Sequence, residues 1–339
     1  MRKPVVLITG AAGEIGHALI DHLAADGGQA IITVDVRALE PDLDAKVSRA
    51  FAGSILDQAL LESIQAEYAV DRIFHLAALL STRSEFTPVA AHEVNVRGTL
   101  NLLEFAAAQT RSHGETVMFF YPSSIAAYGI PPGIESPAAG WTETQHTLPT
   151  TMYGCNKLYC EHLGRYYAQH YKQLDAEPQV GRVDFRALRF PGLISAQTVP
   201  SGGTSDYAPE MIHAAAQEQP YDCFVGPDTR IPFMAMPDAV DAILALSTAP
   251  RQQLTQTVYN LTAFNPTADA IRSLVVQAFP RAQIGYAIDD KRQRILDSWP
   301  RRVDDSRARA DWGLAPRYDL DAAFGEYLIP TIAGRYAVS

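Results

Sequence analysis

Cysteine is scarce in this sequence, which argues against two kinds of site. Only Cys155, Cys160 and Cys223 occur in 339 residues. Secreted domains held together by disulfides are far richer in cysteine, and structural zinc sites need closely spaced Cys or His ligands, which are missing here. We therefore expect no metal, and we expect a reducing, cytoplasmic environment.

Long hydrophobic runs and an excess of positive charge are also missing. The apolar run at residues 5–8 is too short for the core of a signal peptide, and no other run approaches a membrane span. The net charge of -10 argues against nucleic acid and against an anionic membrane surface as partners. With 47% hydrophobic and 19% charged residues, the composition is typical of a soluble globular enzyme.

The first motif present is a glycine-rich turn. Residues 5–9 form a short apolar run with β-branched side chains and predict a buried parallel strand. A helical pattern follows the glycines, so the turn joins a strand to a helix whose N-terminus can face a diphosphate. The predicted nucleotide-binding turn contains Gly10, Gly13, Glu14, Ile15 and Gly16.

A carboxylate closes the second predicted strand, at residues 31–34. Asp35 stands where an acid can accept hydrogen bonds from the adenosine ribose hydroxyls and repel a 2′-phosphate. Arg37 could accommodate that phosphate instead, and Asp35 could simply end the strand. The position of the acid favours NAD over NADP.

Polar residues follow two further predicted strands. Residues 72–80 predict a buried strand running into a loop, with His75 packed in the core. Ser81 and Glu85 come after it, either as a polar loop or at the strand end where open α/β sheets bind ligands. Ser123 and Ser124 follow the strand at residues 117–121. They could donate to a substrate oxygen or serve only the turn.

Tyr153 and Lys157 lie four positions apart in a segment predicted to be helical. That spacing places them on one face, one turn apart, where the ammonium can lower the pKa of the phenol. A phenol tuned in this way is a general base for a hydroxyl proton. The pair alone is weak evidence, because it arises by chance in many helices.

The rest of the chain is less regular. Residues 131–149 predict a surface loop, residues 172–182 an exposed connection and residues 183–189 an alternating strand. Residues 201–206 form a glycine-rich loop, suited either to holding a small polar ligand or to connecting two elements. The basic residues at 291–294 and 301–302 indicate a solvated face or, alternatively, a phosphate-bearing substrate.

Together these motifs resemble the extended short-chain dehydrogenase/reductases. The resemblance implies an α/β chain with a Rossmann doubly wound parallel sheet in residues 1–182. The strand 183–192 would return to the sheet, and residues 193–339 would form a smaller C-terminal α/β substrate lobe. It also implies a catalytic set of Ser124, Tyr153 and Lys157, with Asn95 helping to hold a proton-relay water. The implied NAD contacts are Gly10, Gly13, Glu14, Ile15, Gly16, Asp35, Val36, Arg37, Ser54, Ile55, Leu76, Ala77, Ala78, Asn95, Tyr153, Lys157, Pro191 and Leu193.

Within that superfamily, the second half resembles the short-chain type of L-threonine 3-dehydrogenase. The resembling strings lie at residues 75–81, 121–125, 189–195, 202–207, 297–300 and 304–313. They imply oxidation of a 3-hydroxy amino acid and a homodimer. Ser205 departs from the usual threonine, and no acid follows Ser54 until Asp57. The implied substrate contacts are Ser81, Ser123, Ser124, Arg189, Thr204, Ser205, Asp206 and Trp299.

Two other functions use the same motifs. A nucleotide-sugar epimerase or dehydratase employs the same Tyr, Lys and NAD, and the basic residues near Trp299 would suit a diphosphate. A redox-sensing protein could keep the nucleotide fold without turnover. It would not need Ser124, Tyr153 and Lys157.

Overall fold

The computed structural model describes residues 2–176, 182–200 and 202–337. Part of the predicted connection 172–182 and Ser201 of the predicted glycine-rich loop therefore lie outside the described residues. The chain divides into two compact units, each built from separate stretches. Unit 1 comprises Met1–Ser123, Cys155–Leu188 and Ile243–Val258, and unit 2 comprises Ser124–Gly154, Arg189–Ala242 and Tyr259–Ser339. The predicted boundaries at residues 182 and 193 stay predictions.

A seven-stranded sheet organises the fold, in the order β3–β2–β1–β4–β5–β6–β10. Strand β1 pairs in parallel with both β2 and β4, so the direction of winding changes between β1 and β4. The predicted α/β class with a Rossmann doubly wound sheet is confirmed. The strands are β1 Lys3–Thr9, β2 Ala30–Asp35, β3 Arg49–Ala52, β4 Tyr68–His75, β5 Val117–Ser124, β6 Val183–Phe190, β7 Gly192–Ile194, β8 Tyr221–Cys223, β9 Phe233–Ala235, β10 Val258–Asn260 and β11 Ile284–Tyr286.

Helices connect these strands. Helix α1 is amphipathic and buries Leu19, Ile20 and Leu23, and it ends at Gly27, which is left-handed with φ 64°. The α-helices are α1 Glu14–Asp26, α2 Pro41–Asp44, α3 Gln58–Glu67, α4 Ser81–Phe86, α5 Pro88–His92, α6 Gly98–His113, α7 Met152–Gln169, α8 Tyr207–Ala216, α9 Met236–Thr248, α10 Ala268–Ala278, α11 Asp290–Asp297, α12 Ser306–Trp312, α13 Leu320–Ala322 and α14 Ile329–Ala337.

Several local predictions need correction. Strand β6 does not alternate, because all eight of its residues are buried between β5 and β10. Ser81 and Glu85 lie in helix α4 rather than in a loop. Asn95 lies within the π-helical turn Glu93–Arg97 that joins α5 to α6.

Each unit has its own hydrophobic core. In unit 1, the core packs around β1, β4, β5 and β6. In unit 2, two small parallel sheets, β7–β9 and β8–β11, pack with α8, α10 and α14. The predicted surface loop 131–149 is partly wrong, because Trp141 is buried and bridges to Val303.

The described residues contain neither a membrane-spanning helix nor a cluster of metal-binding side chains. No helix among them is long and apolar enough to cross a membrane. Within residues 2–176, 182–200 and 202–337, no group of three or more His, Cys, Asp or Glu side chains is placed to hold a metal ion.

Candidate active site

The glycine-rich turn between β1 and α1 has three glycines with different roles. Gly10 is left-handed (φ 71°), and a Cβ added there would lie 2.5 Å from the Ala77 nitrogen. A Cβ on Gly16 would lie 2.4 Å from the Ala11 oxygen, so both glycines are required by packing. At Gly13 the nearest atom to an added Cβ is the Gly10 oxygen, 3.2 Å away. A small side chain at Gly13 would require the Gly10 oxygen to shift by only a few tenths of an ångström. The N-terminus of α1 is therefore open enough to fit an approaching diphosphate.

Asp35 ends β2, as predicted, and its carboxylate is hydrogen-bonded to the glycine-rich turn and to the segment after β2. One oxygen accepts from the Ala12 nitrogen at 2.9 Å and the other from the Arg37 nitrogen at 2.8 Å. The Arg37 guanidinium donates to the Ala12 oxygen at 2.6 Å and lies 3.9 Å from the carboxylate. Arg37 is therefore tethered beside the acid, and this arrangement fits a ribose with free hydroxyls better than a 2′-phosphate.

Replacing Asp35 with serine is expected to raise the NADP-to-NAD ratio of kcat/KM about tenfold or more, because a charged hydrogen-bond partner of the ribose is lost and Arg37 is released. Initial rates with the two cofactors measure this ratio. In the double variant with Arg37→Ala, the gain for NADP should disappear. An unchanged ratio in Asp35→Ser would show that the acid only ends the strand.

The carboxyl ends of β1 and β4 meet at Thr9 and His75, which are partners in the strand register. His75 is buried, with Nδ1 2.8 Å from the Thr9 hydroxyl and Nε2 2.9 Å from the Thr99 hydroxyl. Burial, and then the charge of Lys157, lowers the pKa of His75 to about 3, so the ring is neutral. The expected core role of His75 fits this environment. The predicted NAD contacts Leu76, Ala77 and Ala78 follow at this strand end and are half-buried.

Asn95 is 2% exposed, and its side chain is hydrogen-bonded to the loop after β4. Its amide oxygen accepts from the Leu79 nitrogen at 2.8 Å, and its amide nitrogen donates to the Leu79 oxygen at 3.0 Å. The Asn95 carbonyl accepts from the Thr99 hydroxyl at 2.6 Å and from the Cys160 thiol at 3.3 Å. The side chain therefore holds the loop in place, and a role in a proton relay stays a prediction.

Lys157 lies inside unit 1, on α7. Its ammonium donates to the Pro122 oxygen at 2.6 Å and lies 4.7 Å from the centre of the Tyr121 ring. Burial lowers the pKa of Lys157 to about 8. Because this pKa lies near neutral pH, the protonation state of Lys157 depends on the charges of the groups around it.

Ser124 and Tyr153 belong to unit 2. The Ser124 oxygen accepts from the Ala126 nitrogen at 3.1 Å, so its hydroxyl can still donate. Tyr153 is partly exposed on α7, one turn before Lys157. Loss of water around the phenol raises the pKa of Tyr153. This is opposite to the predicted direction, because desolvation disfavours the phenolate.

The structure places the remaining predicted contacts in varied surroundings. Arg189 is buried in unit 2, donates to the Glu143 oxygen at 2.8 Å and lies 4.7 Å from the Tyr128 ring centre. Ser123 is 2% exposed and donates to Glu161 at 2.5 Å. These two side chains are engaged with protein atoms. The other predicted contact residues differ in their exposure. The buried ones are Gly16, Ile55, Pro191, Thr204 and Trp299. The half-buried ones are Glu14, Ile15, Ser54, Ser81, Leu193, Ser205 and Asp206, and Val36 is 75% exposed.

One basic residue of α11, Arg292, is hydrogen-bonded to the glycine-rich loop. Arg292 donates to the Gly203 oxygen at 3.2 Å, and its guanidinium stacks 3.5 Å from the Phe224 ring centre. Asp206 accepts from the Gly203 nitrogen at 2.6 Å. Arg292 therefore holds the loop that carries Thr204, a structural role that the sequence patterns did not indicate.

A polar cavity of about 650 Å³ opens in unit 2 beside Trp299. Three guanidinium side chains line it, but Arg230 donates to the Asn265 oxygen at 2.5 Å and Arg302 to the Ala138 oxygen at 2.7 Å. Asp297 lines the same cavity. Two of the three guanidinium groups that line the cavity are therefore hydrogen-bonded to backbone oxygens, and a carboxylate lies beside them.

Sequence reasoning missed Glu161, a buried carboxyl on α7. A signal was available: Tyr153, Lys157 and Glu161 recur at intervals of four residues, which places them on one face of a helix.

Comparison with known proteins identifies the family of this chain. The NAD dependent epimerase/dehydratase family model matches residues 6–262. The mitochondrial L-threonine 3-dehydrogenase of Bos taurus is 36% identical over 317 residues, which cover 93% of this chain and 79% of that protein.

Two solved structures match over nearly their whole length. A monomeric L-threonine 3-dehydrogenase of metagenomic origin, in its apo form, has a TM-score of 0.84 at 32% identity and covers 98% of this chain and 99% of its own. The GalE-like L-threonine dehydrogenase from Cupriavidus necator, in its holo form, has a TM-score of 0.81 at 35% identity and covers 99% of both chains. The resemblances stated from the motifs are confirmed. The chain belongs to the NAD dependent epimerase/dehydratase family and is an enzyme of that family with NAD as its cofactor.

Proposed function

We propose that this enzyme oxidises the 3-hydroxyl of L-threonine with NAD, giving 2-amino-3-oxobutyrate and NADH. The observation that carries this proposal is the match to L-threonine dehydrogenases over 98–99% of the chain, which extends through the C-terminal half as well as the nucleotide turn. The catalytic set would be Ser124, Tyr153 and Lys157. A homodimer stays a prediction, and one of the similar dehydrogenases is described as monomeric.

In the proposed reaction, the Tyr153 phenolate takes the proton of the substrate hydroxyl. The Ser124 hydroxyl donates to the same oxygen as it becomes a carbonyl. Lys157, one turn along α7, supplies positive charge that favours the phenolate. When bound, NAD supplies the hydride acceptor and a positively charged ring. The C3–H bond breaks with its electron pair, and the C3–O double bond forms.

The cofactor side would be held by unit 1. Gly13 and the N-terminus of α1 would accept the diphosphate, and Asp35 would accept hydrogen bonds from the ribose. The loop after β4, fixed by Asn95, would lie along the nucleotide. Positioning supplies much of the rate in such a reaction, because the protein only has to align the cofactor and the alcohol carbon.

Purified enzyme is expected to produce NADH with L-threonine, and less NADH with L-allo-threonine, L-serine or 3-hydroxybutyrate. The reason is that the proposed contacts recognise the amino, carboxylate and hydroxyl groups together. NADH absorbance measures the rate with each substrate. Equal or greater turnover of 3-hydroxybutyrate would refute recognition of the amino group, and no NADH from L-threonine would refute the proposed substrate.

A nucleotide-sugar epimerase is the second candidate, favoured by the cavity that Arg301 and Trp299 line. Such an enzyme regenerates its cofactor in each cycle, so it gains from keeping NAD tightly bound. Protein that carries NAD through purification and converts a nucleotide sugar without net NADH would support this candidate. Net reduction of added NAD by L-threonine would support the dehydrogenase.

A further inference from the structure

Glu161 is a carboxyl group in an unusual place. It lies on α7 in unit 1, is 1% exposed, and accepts a hydrogen bond from the Ser123 hydroxyl at 2.5 Å. Ser123 is itself 2% exposed. Burying a carboxyl group is costly unless it is hydrogen-bonded or paired with a charge. A group kept at this cost needs an explanation.

Lys157 and Glu161 contact consecutive residues of one strand. Lys157 donates to the Pro122 oxygen at 2.6 Å, and Glu161 accepts from Ser123, the next residue of β5. The two side chains are one helical turn apart on the same face of α7. They fix both the position of the helix along β5 and the direction in which the lysine points.

The charges around Lys157 also depend on Glu161. Burial lowers the pKa of Lys157 to about 8, and the Glu161 carboxylate opposes this shift. Burial also raises the pKa of the Cys160 thiol, so it is neutral near pH 7. His75 is neutral and adds no favourable charge. The titratable side chains that interact with Lys157 include His75 on β4, Tyr121 on β5, and Cys160 and Glu161 on α7. Tyr153 lies one turn before Lys157 on the same helix.

We propose that Ser123 and Glu161 form a positioning pair for Lys157, in which the carboxylate, fixed by the serine hydroxyl, keeps the lysine charged and aligned on α7. Ser123 is thereby assigned to supporting the lysine rather than to contacting substrate. The catalytic consequence rests on the proposed function. The electrostatic consequence does not, and it can be measured without any substrate.

The electrostatic consequence appears in stability. The pKa of Lys157 is about 8 in the folded protein, below its ordinary value of 10.5. Between these values the unfolded chain binds more protons at Lys157, so the contribution of Lys157 to the free energy of unfolding rises with pH across this window. Removing the charge of Glu161 lowers the folded pKa of Lys157 further. The rise then begins at a lower pH.

The experiment is denaturant unfolding of the full chain from pH 7 to pH 10.5, with four variants. Glu161→Gln keeps the shape and the acceptor but removes the charge, and is expected to move the onset of the rise down by about one pH unit. Lys157→Met should lose the rise that is due to the lysine, and adding Glu161→Gln to it should change the pH dependence no further. Asp184→Asn, at a buried carboxylate on β6 paired with Arg186, is the matched control and should lower stability without moving the onset.

Each outcome decides the proposal. An unchanged onset in Glu161→Gln, or a shift that persists in the Lys157→Met background, would overturn it. If Glu161→Gln alone does not fold, folding of the double variant supports the coupling, and failure of the double variant overturns it.

Turnover with L-threonine provides a second, separate measurement. In Glu161→Gln, kcat is expected to fall about tenfold while KM stays within about twofold, because the lysine acts on the chemical step. Glu161→Asp, which keeps the charge, should recover part of the loss. If the wild-type enzyme does not oxidise L-threonine, the proposed function fails and the unfolding experiment still decides the role of Glu161.

Discussion

Replacing Tyr153 with phenylalanine is expected to lower kcat about a thousandfold, the range that a positioned general base contributes. The ring would keep its packing against the core of unit 2 and lose only the hydroxyl that we propose takes the substrate proton. NAD affinity should change by no more than about threefold, because the nucleotide turn and Asp35 are untouched. Steady-state NADH production measures turnover, and calorimetric titration with NAD measures binding.

Tyr159→Phe is the matched control for Tyr153→Phe. Tyr159 lies on the same helix and is 54% exposed, so its hydroxyl can be removed with little effect on kcat. Turnover in Tyr153→Phe equal to that of Tyr159→Phe would remove the tyrosine from the mechanism. The proposed function would then need another base for the hydroxyl proton.

The direction of the Tyr153 pKa shift indicates what formation of its phenolate would require. From the Tyr153 and Lys157 pattern, the sequence predicted a lowered pKa. Desolvation in the folded protein raises it instead, because loss of water disfavours the phenolate more than the neutral phenol. In the proposed mechanism, ionisation of Tyr153 near neutral pH therefore depends on positive charge from Lys157 and, when NAD is bound, from its nicotinamide ring. This makes the charge state of Lys157 a limiting feature of the proposed mechanism.

Features that depend on neighbouring residues in the sequence could be predicted. The glycine turn follows a buried strand, Asp35 ends the second strand, and Tyr153 and Lys157 share a helix, as the spacing indicated. In each case the chemistry and the local backbone are specified within a few residues. Short-range steric and hydrogen-bonding rules are then sufficient.

Features that depend on distant partners could not be predicted. Ser123 and Glu161 are 38 positions apart, and Arg189 meets Glu143 from 46 positions away. A polar residue at a strand end fits a ligand contact and a buried support equally well in sequence terms. Only the packing of α7 on β5 shows that Ser123 faces a carboxyl group.

Gly10 and Gly13 should respond very differently to alanine, and this difference tests the nucleotide site most sharply. Gly10→Ala is expected to lower the free energy of unfolding by about 3 kcal/mol or more, because the residue is left-handed and its Cβ would lie 2.5 Å from the Ala77 nitrogen. Gly13→Ala is expected to cost only about 1 kcal/mol, because its backbone is extended (φ −90°, ψ 166°) and the Gly10 oxygen, 3.2 Å from the added Cβ, has to move by only a few tenths of an ångström. Urea unfolding measures both changes.

For NAD affinity, measured on the variants that fold, we expect the opposite order, with the larger loss in Gly13→Ala. A methyl group at Gly13 would project into the cradle at the N-terminus of α1, where the diphosphate must approach the backbone closely. NAD affinity in Gly13→Ala should fall about a hundredfold while the fold stays intact. Native stability together with native NAD affinity would mean that the diphosphate does not contact this turn. The family match, the glycine spacing and Asp35 would then indicate the fold without locating the nucleotide. Gly13→Ala therefore distinguishes a glycine that is needed for folding from one that is needed for binding.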